Sequence, residues 1–211
     1  MPKISEDQRQ ARREQILAAA WRCFASRGIH ATSMEEIIRE AELSAGAVYL
    51  YFKGKDELIL VAISTYMARL RDMLWPILSR EEAPPPLEFI DEVTSIMARH
   101  TRRGDIKLNT VILMRWSEAQ TNPQVKSVIV TFQVSYRAAL TQIVGKWQKS
   151  GEMDSSSDPK DVAKALLSFF YGFIVQSALL GEVDPKTMAR GMEGLIAGGG
   201  SGVGWAGSAS V

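Results

Sequence analysis

Residues 33–55 constrain the fold most, because they encode two very short helices joined by a tight turn. The stretch reads SMEEIIREAELSAGAVYLYFKGK. Ser33, with Glu36 three residues later, is typical of a capping box at the start of the first helix, and Ser44 offers a cap for the second. Helices this short are unstable alone, so both are expected to pack on neighbouring elements.

The second of these helices has a side of small and polar residues. Ala45, Gly46 and Ala47 are followed by the phenol of Tyr49. Small side chains permit close approach to a DNA major groove, and polar side chains can meet base edges and phosphates. The pattern favours a helix that enters DNA.

Three spaced motifs surround this stretch: F-A-S-R-G at the end of a helix, then T-S-M-E-E-I, then S-A-G-A-V-Y-L-Y-F followed by K-x-E-L. With these motifs, about residues 10 to 65 closely resemble the DNA-binding domain of TetR-family transcriptional regulators. One residue departs from the family pattern. The turn often has Gly where Glu42 stands, which predicts backbone strain there.

The resemblance implies a role for each residue of this surface. A hydroxyl and backbone N–H groups at the start of the first short helix would bind a phosphate, the small residues would lie closest to the groove, and the phenols would reach phosphates or base edges. The predicted DNA-binding residues are Thr32, Ser33, Ser44, Ala45, Ala47, Tyr49, Tyr51 and Lys55. Ser33 and Ser44 also fit a role as helix caps alone, and Tyr51 also fits packing in the core.

Charge alone does not identify a nucleic-acid-binding protein here. The formal net charge of the 211 residues is +1, and residues 1–55 contain nine Lys and Arg against seven Asp and Glu. A basic surface therefore depends on where individual cations lie. The candidate cations are Arg12, Arg13, Arg27, Lys53 and Lys55.

The sequence lacks the residue clusters typical of catalytic or metal sites. His30 and His100 are the only histidines, and neither has Cys, Asp or Glu at metal-ligand spacing. No nucleophile-elbow, P-loop or dinucleotide-binding motif is present. We therefore predict neither an enzyme nor a cofactor. The single cysteine, Cys23, excludes an internal disulfide and is expected to be a structural thiol.

Beyond residue 55 every segment has helical periodicity, so the predicted class is all-α. The expected organisation is an N-terminal three-helix helix-turn-helix DNA-binding domain (1–55) joined by a linking helix to a C-terminal helical ligand-binding and dimerisation domain (56–197). A Gly/Ser-rich segment (198–211) is expected to be a flexible tail, and residues 1–8 a flexible arm. The later helices are expected at 56–75, 87–101, 106–121, 123–149, 159–180 and 185–197, with a Pro-rich linker at 79–86.

Location follows from what the sequence lacks. The charged N-terminus has no apolar segment of signal-peptide type, and the apolar runs fall short of the ~18 residues that a membrane span needs. We predict a cytoplasmic protein with no membrane partner.

The segment LLSFFYGFIVQSALL (166–180) is so evenly apolar that it must be buried on several sides. It fits the centre of its own domain. It also fits, as the resemblance implies, a homodimer interface formed by helices 159–180 and 185–197 with their two-fold mates. Ser168 and Gly172 would then allow close helix contact, and the two-fold pair would bind a palindromic DNA operator.

Helices within 87–149 are expected to enclose a cavity for a small apolar or aromatic effector. The predicted ligand-binding residues are Met97, Asn109, Met114, Trp116, Phe132, Gln133, Tyr136, Phe173 and Gln176, although each also fits ordinary core. The favoured function is a ligand-responsive transcriptional repressor, and an activator fits the same pattern. The alternatives are a helical small-molecule-binding protein or enzyme that keeps the module only as scaffold, and a helical adaptor that binds protein.

Overall fold

The computed structural model describes residues 5–100, 102–103, 106–181 and 183–198, and it confirms the all-α class. The helices are α1 (Glu6–Arg27), α2 (Met34–Glu40), α3 (Ala45–Tyr49), α4 (Lys55–Leu78), α5 (Pro86–His100), α6 (Leu108–Thr121), α7 (Pro123–Ser150), α8 (Pro159–Leu179) and α9 (Pro185–Gly198). Two strands of two residues each, β1 (Arg102–Arg103) and β2 (Ile106–Lys107), pair antiparallel between α5 and α6. The sequence did not predict this hairpin.

The capping pattern of α2 and α3 is confirmed. The Ser33 hydroxyl accepts a hydrogen bond from the backbone N–H of Glu36 at 3.2 Å, and the Glu36 carboxylate accepts one from the backbone N–H of Ser33 at 2.9 Å. The Ser44 hydroxyl accepts from the backbone N–H of Ala47 at 3.2 Å. Between the helices, Glu42 has a φ of +55°, so the strain expected at this residue is present.

Helix α1 begins earlier than predicted. Ser5 and Gln8 form a second capping box, which starts the helix at Glu6. The prediction of a flexible arm is therefore wrong for residues 6–8, and residues 1–4 lie outside the described part of the chain.

Helix α4 continues through Pro76 to Leu78, three residues beyond its predicted end. A proline near the C-terminus of a helix removes one backbone hydrogen bond. The last turn is held instead by burial of Leu74, Ile77 and Leu78.

Helix α4 connects the two halves of the chain. It packs on α1, where Tyr66 contacts Trp21, and on α5 and α7. Helix α6 packs on α1, α7 and α8, so it also reaches the N-terminal module. The predicted linker is fastened to the core, because the Trp147 indole N–H donates to the Pro84 carbonyl at 2.7 Å.

Helix α8 lies against α5, α6 and α7, and α9 lies against α5. Asp158 and Asp184 cap these two helices as predicted, each followed by a proline at the first helical position. Among the described helices, α8 alone is long and apolar enough to cross a membrane by length and composition. Six of its side chains nevertheless lie in the core of this chain: Ala163, Leu166, Leu167, Phe170, Phe173 and Ile174.

Candidate nucleic-acid interface and effector cavity

Helix α3 presents an exposed edge to solvent. Ser44, Ala45 and Tyr49 are exposed, while Val48 on the opposite side is fully buried. Leu50, which ends the helix, is 81% exposed. Leu50 is not among the predicted residues, although an apolar residue on the outer side of a capped short helix was the available signal. Its side chain adds an apolar group beside the phenol of Tyr49.

The other predicted DNA-binding residues are partly buried or already form hydrogen bonds within the protein. Ala47 and Tyr51 are half-buried. Thr32 is buried, and its hydroxyl donates to the Gly28 carbonyl at 2.7 Å, so that hydroxyl faces the protein. Ser33 is exposed but acts as the cap of α2, and the Lys55 ammonium donates to the His30 carbonyl at 2.9 Å.

Ion pairs reduce the positive charge of the module. Arg22 pairs with Glu40, and Arg27 pairs with Glu36. Of the candidate cations, Arg12 is exposed and donates to the Gln15 side chain at 2.9 Å, and Lys53 is exposed. Arg13 lies over the Phe52 ring, 5.9 Å from its centroid. Of the five candidate cations, Arg27 is thus neutralised by an ion pair, while Arg12 and Lys53 remain exposed.

A cavity of about 360 Å³ lies between α4 and α7. Its apolar lining consists of Met67, Ala68, Leu74, Trp75, Leu78, Val128, Phe132, Tyr136 and Ala139. Its polar lining consists of Ser64, Arg71, Ser127, Thr131 and Ser135. The volume is in the range of pockets that bind small organic molecules.

Only two predicted ligand-binding residues, Phe132 and Tyr136, line this cavity. Met97 and Phe173 are buried in the core, and Gln176 is exposed on α8. The side chain of Asn109 lies outside the described residues. The remaining predicted residues lie elsewhere on α6 and α7. The predicted cavity lay within 87–149, whereas the observed cavity is lined by α4 as well as α7.

Arg115, in the middle of α6, is the main polar residue that the prediction missed. Its side chain is only 4% exposed, and burial lowers the pKa of its guanidinium below the usual range. Its Nη1 lies 3.4 Å from the Met67 sulfur, and its Nε has no hydrogen-bond partner. The rings of Tyr66 and Trp116 lie with their centroids 5.8 Å from its Cζ.

Phenol groups surround this cation. Tyr171 packs edge-on against Trp116, with centroids 5.5 Å apart. Burial raises the pKa of its hydroxyl, while Arg115 and the Gln133 side chain act to lower it. The hydroxyl of Tyr136 is buried without a hydrogen-bond partner, and burial raises its pKa well above the usual range. Of the predicted ligand residues, Trp116 thus lies beside Arg115, whereas Gln133 and Tyr136 lie near Tyr171.

Helix α6 also touches the loop that follows α1. Met114 packs over Gly28, with its Cε 3.6 Å from the position that a Cβ on Gly28 would occupy. Glu118, which is buried, approaches His30, with Oε2 and Nε2 3.6 Å apart. Because the His30 carbonyl also accepts from Lys55, this loop contacts both α4 and α6.

Metal binding finds no support in the described part of the chain, where no group of three or more His, Cys, Asp or Glu residues is placed to hold an ion. Cys23 is half-buried, and burial raises the pKa of its thiol. Both observations leave α3 and the α4–α7 cavity as the candidate sites.

The capped pair α2–α3 with its exposed edge, joined to a helical body that contains a cavity, defines a transcriptional regulator of the helix-turn-helix class. Residues 16–62 match the family described as bacterial regulatory proteins, tetR family. Residues 93–198 match the C-terminal domain of BetI-type transcriptional repressors. The chain belongs to the TetR family of transcriptional regulators.

Curated relatives are also regulators and not enzymes. The chain is 30% identical over 139 residues to YerO of Bacillus subtilis, an uncharacterized HTH-type transcriptional regulator; the match covers 64% of this chain and 47% of YerO. It is 28% identical over 142 residues to the HTH-type transcriptional regulator BetI of Rhizobium meliloti, covering 66% of each protein. The matched segments thus span about half to two thirds of these relatives.

Solved structures share the fold over nearly the whole chain. Salmonella enterica GusR has 26% identity and a TM-score of 0.69, covering 92% of this chain and 99% of GusR. FadR of Bacillus subtilis, solved with stearoyl-CoA, has 21% identity and a TM-score of 0.68, covering 88% and 98%. A regulator from Saccharomonospora viridis, solved with choline, has 21% identity and a TM-score of 0.72, covering 90% and 97%.

Proposed function

We propose that this protein is a cytoplasmic homodimeric repressor that binds a palindromic operator and is released by a small apolar or aromatic effector. The observation that carries the proposal is the course of α4. This helix begins at Lys55, which contacts the loop before α2, and its residues 64–78 line the cavity between α4 and α7. A molecule in the cavity would therefore act on the helix that positions the N-terminal module.

The proposed DNA interface is the exposed edge of α3 with the start of α2. Ser44, Ala45 and Ala47 would approach the groove, and Tyr49 and Tyr51 would meet base edges or phosphates. Thr32 or Ser33, together with Lys55, would bind phosphates of the DNA backbone. Since the Thr32 hydroxyl is already engaged, its contribution would come from the backbone N–H.

The proposed dimer interface is the outer side of α8 with α9. Ala165, Ser168 and Leu179 are exposed there, and a Cβ added to Gly172 would meet nothing within 4 Å. Glycine in a helix interior costs about 1 kcal/mol relative to alanine, and nothing inside the chain requires it at this position. Close approach of a second copy supplies a reason for it.

The proposed mechanism is a two-state equilibrium. Effector binding between α4 and α7 would favour a position of α4 in which the two recognition helices no longer match the spacing of the half-sites. The shift requires only the difference in effector affinity between the two states, typically about 1–3 kcal/mol.

Selection of bound fragments from a genomic DNA pool tests the proposal. We expect a palindrome with half-sites about one helical turn apart. Tyr49→Ala is expected to weaken binding of the recovered duplex roughly tenfold. Lys55→Ala is expected to reduce the slope of log affinity against log salt concentration by about one per subunit, because one phosphate contact is lost. Fluorescence anisotropy across salt concentrations measures both effects.

Lys149→Ala is the matched control, since it removes an exposed charge from α7 and should leave affinity and salt dependence unchanged. Unaltered binding in both module variants would contradict the proposed interface. Transcription in vitro from a promoter that carries the operator should fall when protein is added, and an increase would identify an activator.

A further inference from the structure

We propose that the effector carries an anionic group, a carboxylate, that binds Arg115 while its apolar body occupies the cavity between α4 and α7. The inference rests on the proposed effector site and adds the chemical class of its ligand. Arg115 is a buried charge, and a buried charge is unfavourable unless it is paired.

Arg115 lacks the partner that a buried guanidinium normally has. Guanidinium groups carry five N–H donors that match a carboxylate, and a thioether sulfur is a weak acceptor. Among the described residues, no carboxylate forms an ion pair with Arg115, and its Nη1 meets only the Met67 sulfur. Its Nε is buried without any acceptor.

The neighbouring groups favour an oxyanion over a cation. The phenols of Tyr66 and Tyr171 lie close enough to influence the Arg115 charge, and a second buried donor, the Tyr136 hydroxyl, has no partner. Hydroxyl and guanidinium N–H groups can all donate to a carboxylate. A quaternary ammonium ion would instead meet the like charge of Arg115, because the buried acid one turn along α6, Glu118, approaches His30.

Met67 joins the cavity to this cluster. Its side chain lines the cavity and also contacts Arg115, and Tyr136 likewise lines the cavity with its hydroxyl buried. Methionine is unbranched and changes rotamer at little cost, so a ligand head group can displace its sulfur from the guanidinium. The apolar body would then remain against Leu74, Val128 and Phe132.

Three probes with the same ten-carbon chain test the inference on the full-length protein: decanoate, decanol and decyltrimethylammonium. Titration calorimetry should show decanoate binding about tenfold or more tighter than decanol, as expected for a charge-assisted bidentate contact, and no saturable binding of the cation. Arg115→Met should abolish the preference for decanoate and leave decanol binding unchanged. A merely structural role for Arg115 would weaken both ligands equally.

Arg71→Met is the matched control, since Arg71 lines the same cavity but is exposed and paired with Asp72 at 2.8 Å. The Arg71→Met variant should still bind decanoate more tightly than decanol. Arg115→Lys retains the charge and should still bind decanoate more tightly than decanol. This variant tests the inference if Arg115→Met fails to fold.

Absence of decanoate binding, equal affinity for the three probes, or an undiminished preference in Arg115→Met would overturn the inference. Operator affinity without ligand is measured in the same samples. A failure there counts against the proposed function, whereas a failure of the probe series with intact DNA binding counts against the anionic effector alone.

Discussion

At the scale of single residues, Glu42 shows how a local departure from the family pattern is tolerated. It is the one non-glycine residue with a positive φ among those that the structure describes. The left-handed conformation costs a residue with a Cβ about 1–2 kcal/mol, and glycine avoids this cost. The turn between α2 and α3 therefore holds strain that the capped helices on either side offset.

Replacing Glu42 with Gly is expected to raise the free energy of unfolding by about 1 kcal/mol relative to Glu42→Ala, because only glycine removes the Cβ contact. The alanine variant is the control for loss of the carboxylate. Urea denaturation at constant m-value measures the difference. Equal midpoints for the two variants would show that the turn relaxes without glycine.

Arg115 illustrates the limit of prediction at this scale. In the sequence it falls in register with Ile112 and Trp116, which placed it on α6 but gave no reason to choose it over an ordinary surface arginine. Its burial depends on the packing of α7 and α8 on α6 and on Tyr66 and Met67 of α4, and that is a property of the tertiary structure. The only available signal in the sequence was an arginine at a position where the helical periodicity predicts an apolar residue.

At the scale of elements, the caps decide where the helices begin. Glu36 acts twice, since it closes the capping box on Ser33 and pairs with Arg27 of α1. The hydrogen bond from the Ser33 backbone N–H is the main cause that lowers the pKa of Glu36 below its ordinary value, with Arg27 adding to it. The carboxylate therefore links the start of α2 to the end of α1.

A lowered folded-state pKa means that the stabilisation by Glu36 is present above its unfolded pKa and is lost as pH falls through the folded pKa. We expect the wild-type protein to be more stable than Glu36→Gln at pH 7, with the difference shrinking below about pH 4. Thermal unfolding at several pH values measures this. Glu35→Gln is the control on the same turn, and a pH-independent difference for Glu36→Gln would contradict the expectation.

The beginnings of the helices were predicted best from the sequence, because a cap and a following proline are local features. Prediction from the sequence failed at the C-terminal part of α4, where buried Leu74, Ile77 and Leu78 outweigh the backbone hydrogen bond lost at Pro76. It also treated α4 mainly as a connection. The cavity was consequently sought among α5–α7, although α4 supplies half of its lining.

At the scale of the whole molecule, the outer side of α8 is the feature that a single chain leaves unexplained. Leu179 is 69% exposed, and Leu195 on α9 is 75% exposed. Burial of such apolar side chains stabilises a protein, so their exposure favours a second copy that covers them.

Gly172→Phe is expected to convert the proposed dimer to monomer, because a Cβ at this position meets nothing within the chain but the ring would block close approach of a second α8. Affinity for a palindromic duplex should then fall by roughly 10²-fold or more, since the two modules are no longer linked. Sedimentation equilibrium and anisotropy measure the two effects.

Gly145→Phe is the matched control, because Gly145 is also a helical glycine with nothing within 4 Å of an added Cβ, and it lies on α7. It should remain dimeric. A dimeric Gly172→Phe would show that α8 does not form the interface.

Helix α6 has a further consequence for sensor engineering. Met114 faces the loop at Gly28, while the adjacent Arg115 faces the cluster beneath the cavity. If Arg115 binds the effector as proposed, consecutive residues of one helix contact the effector and the N-terminal module. A library designed to recognise new effectors should vary Met67, Arg115 and Tyr136 and keep Gly28, Met114 and Glu118 fixed. Specificity would then change while the contacts between α6 and the N-terminal module are kept.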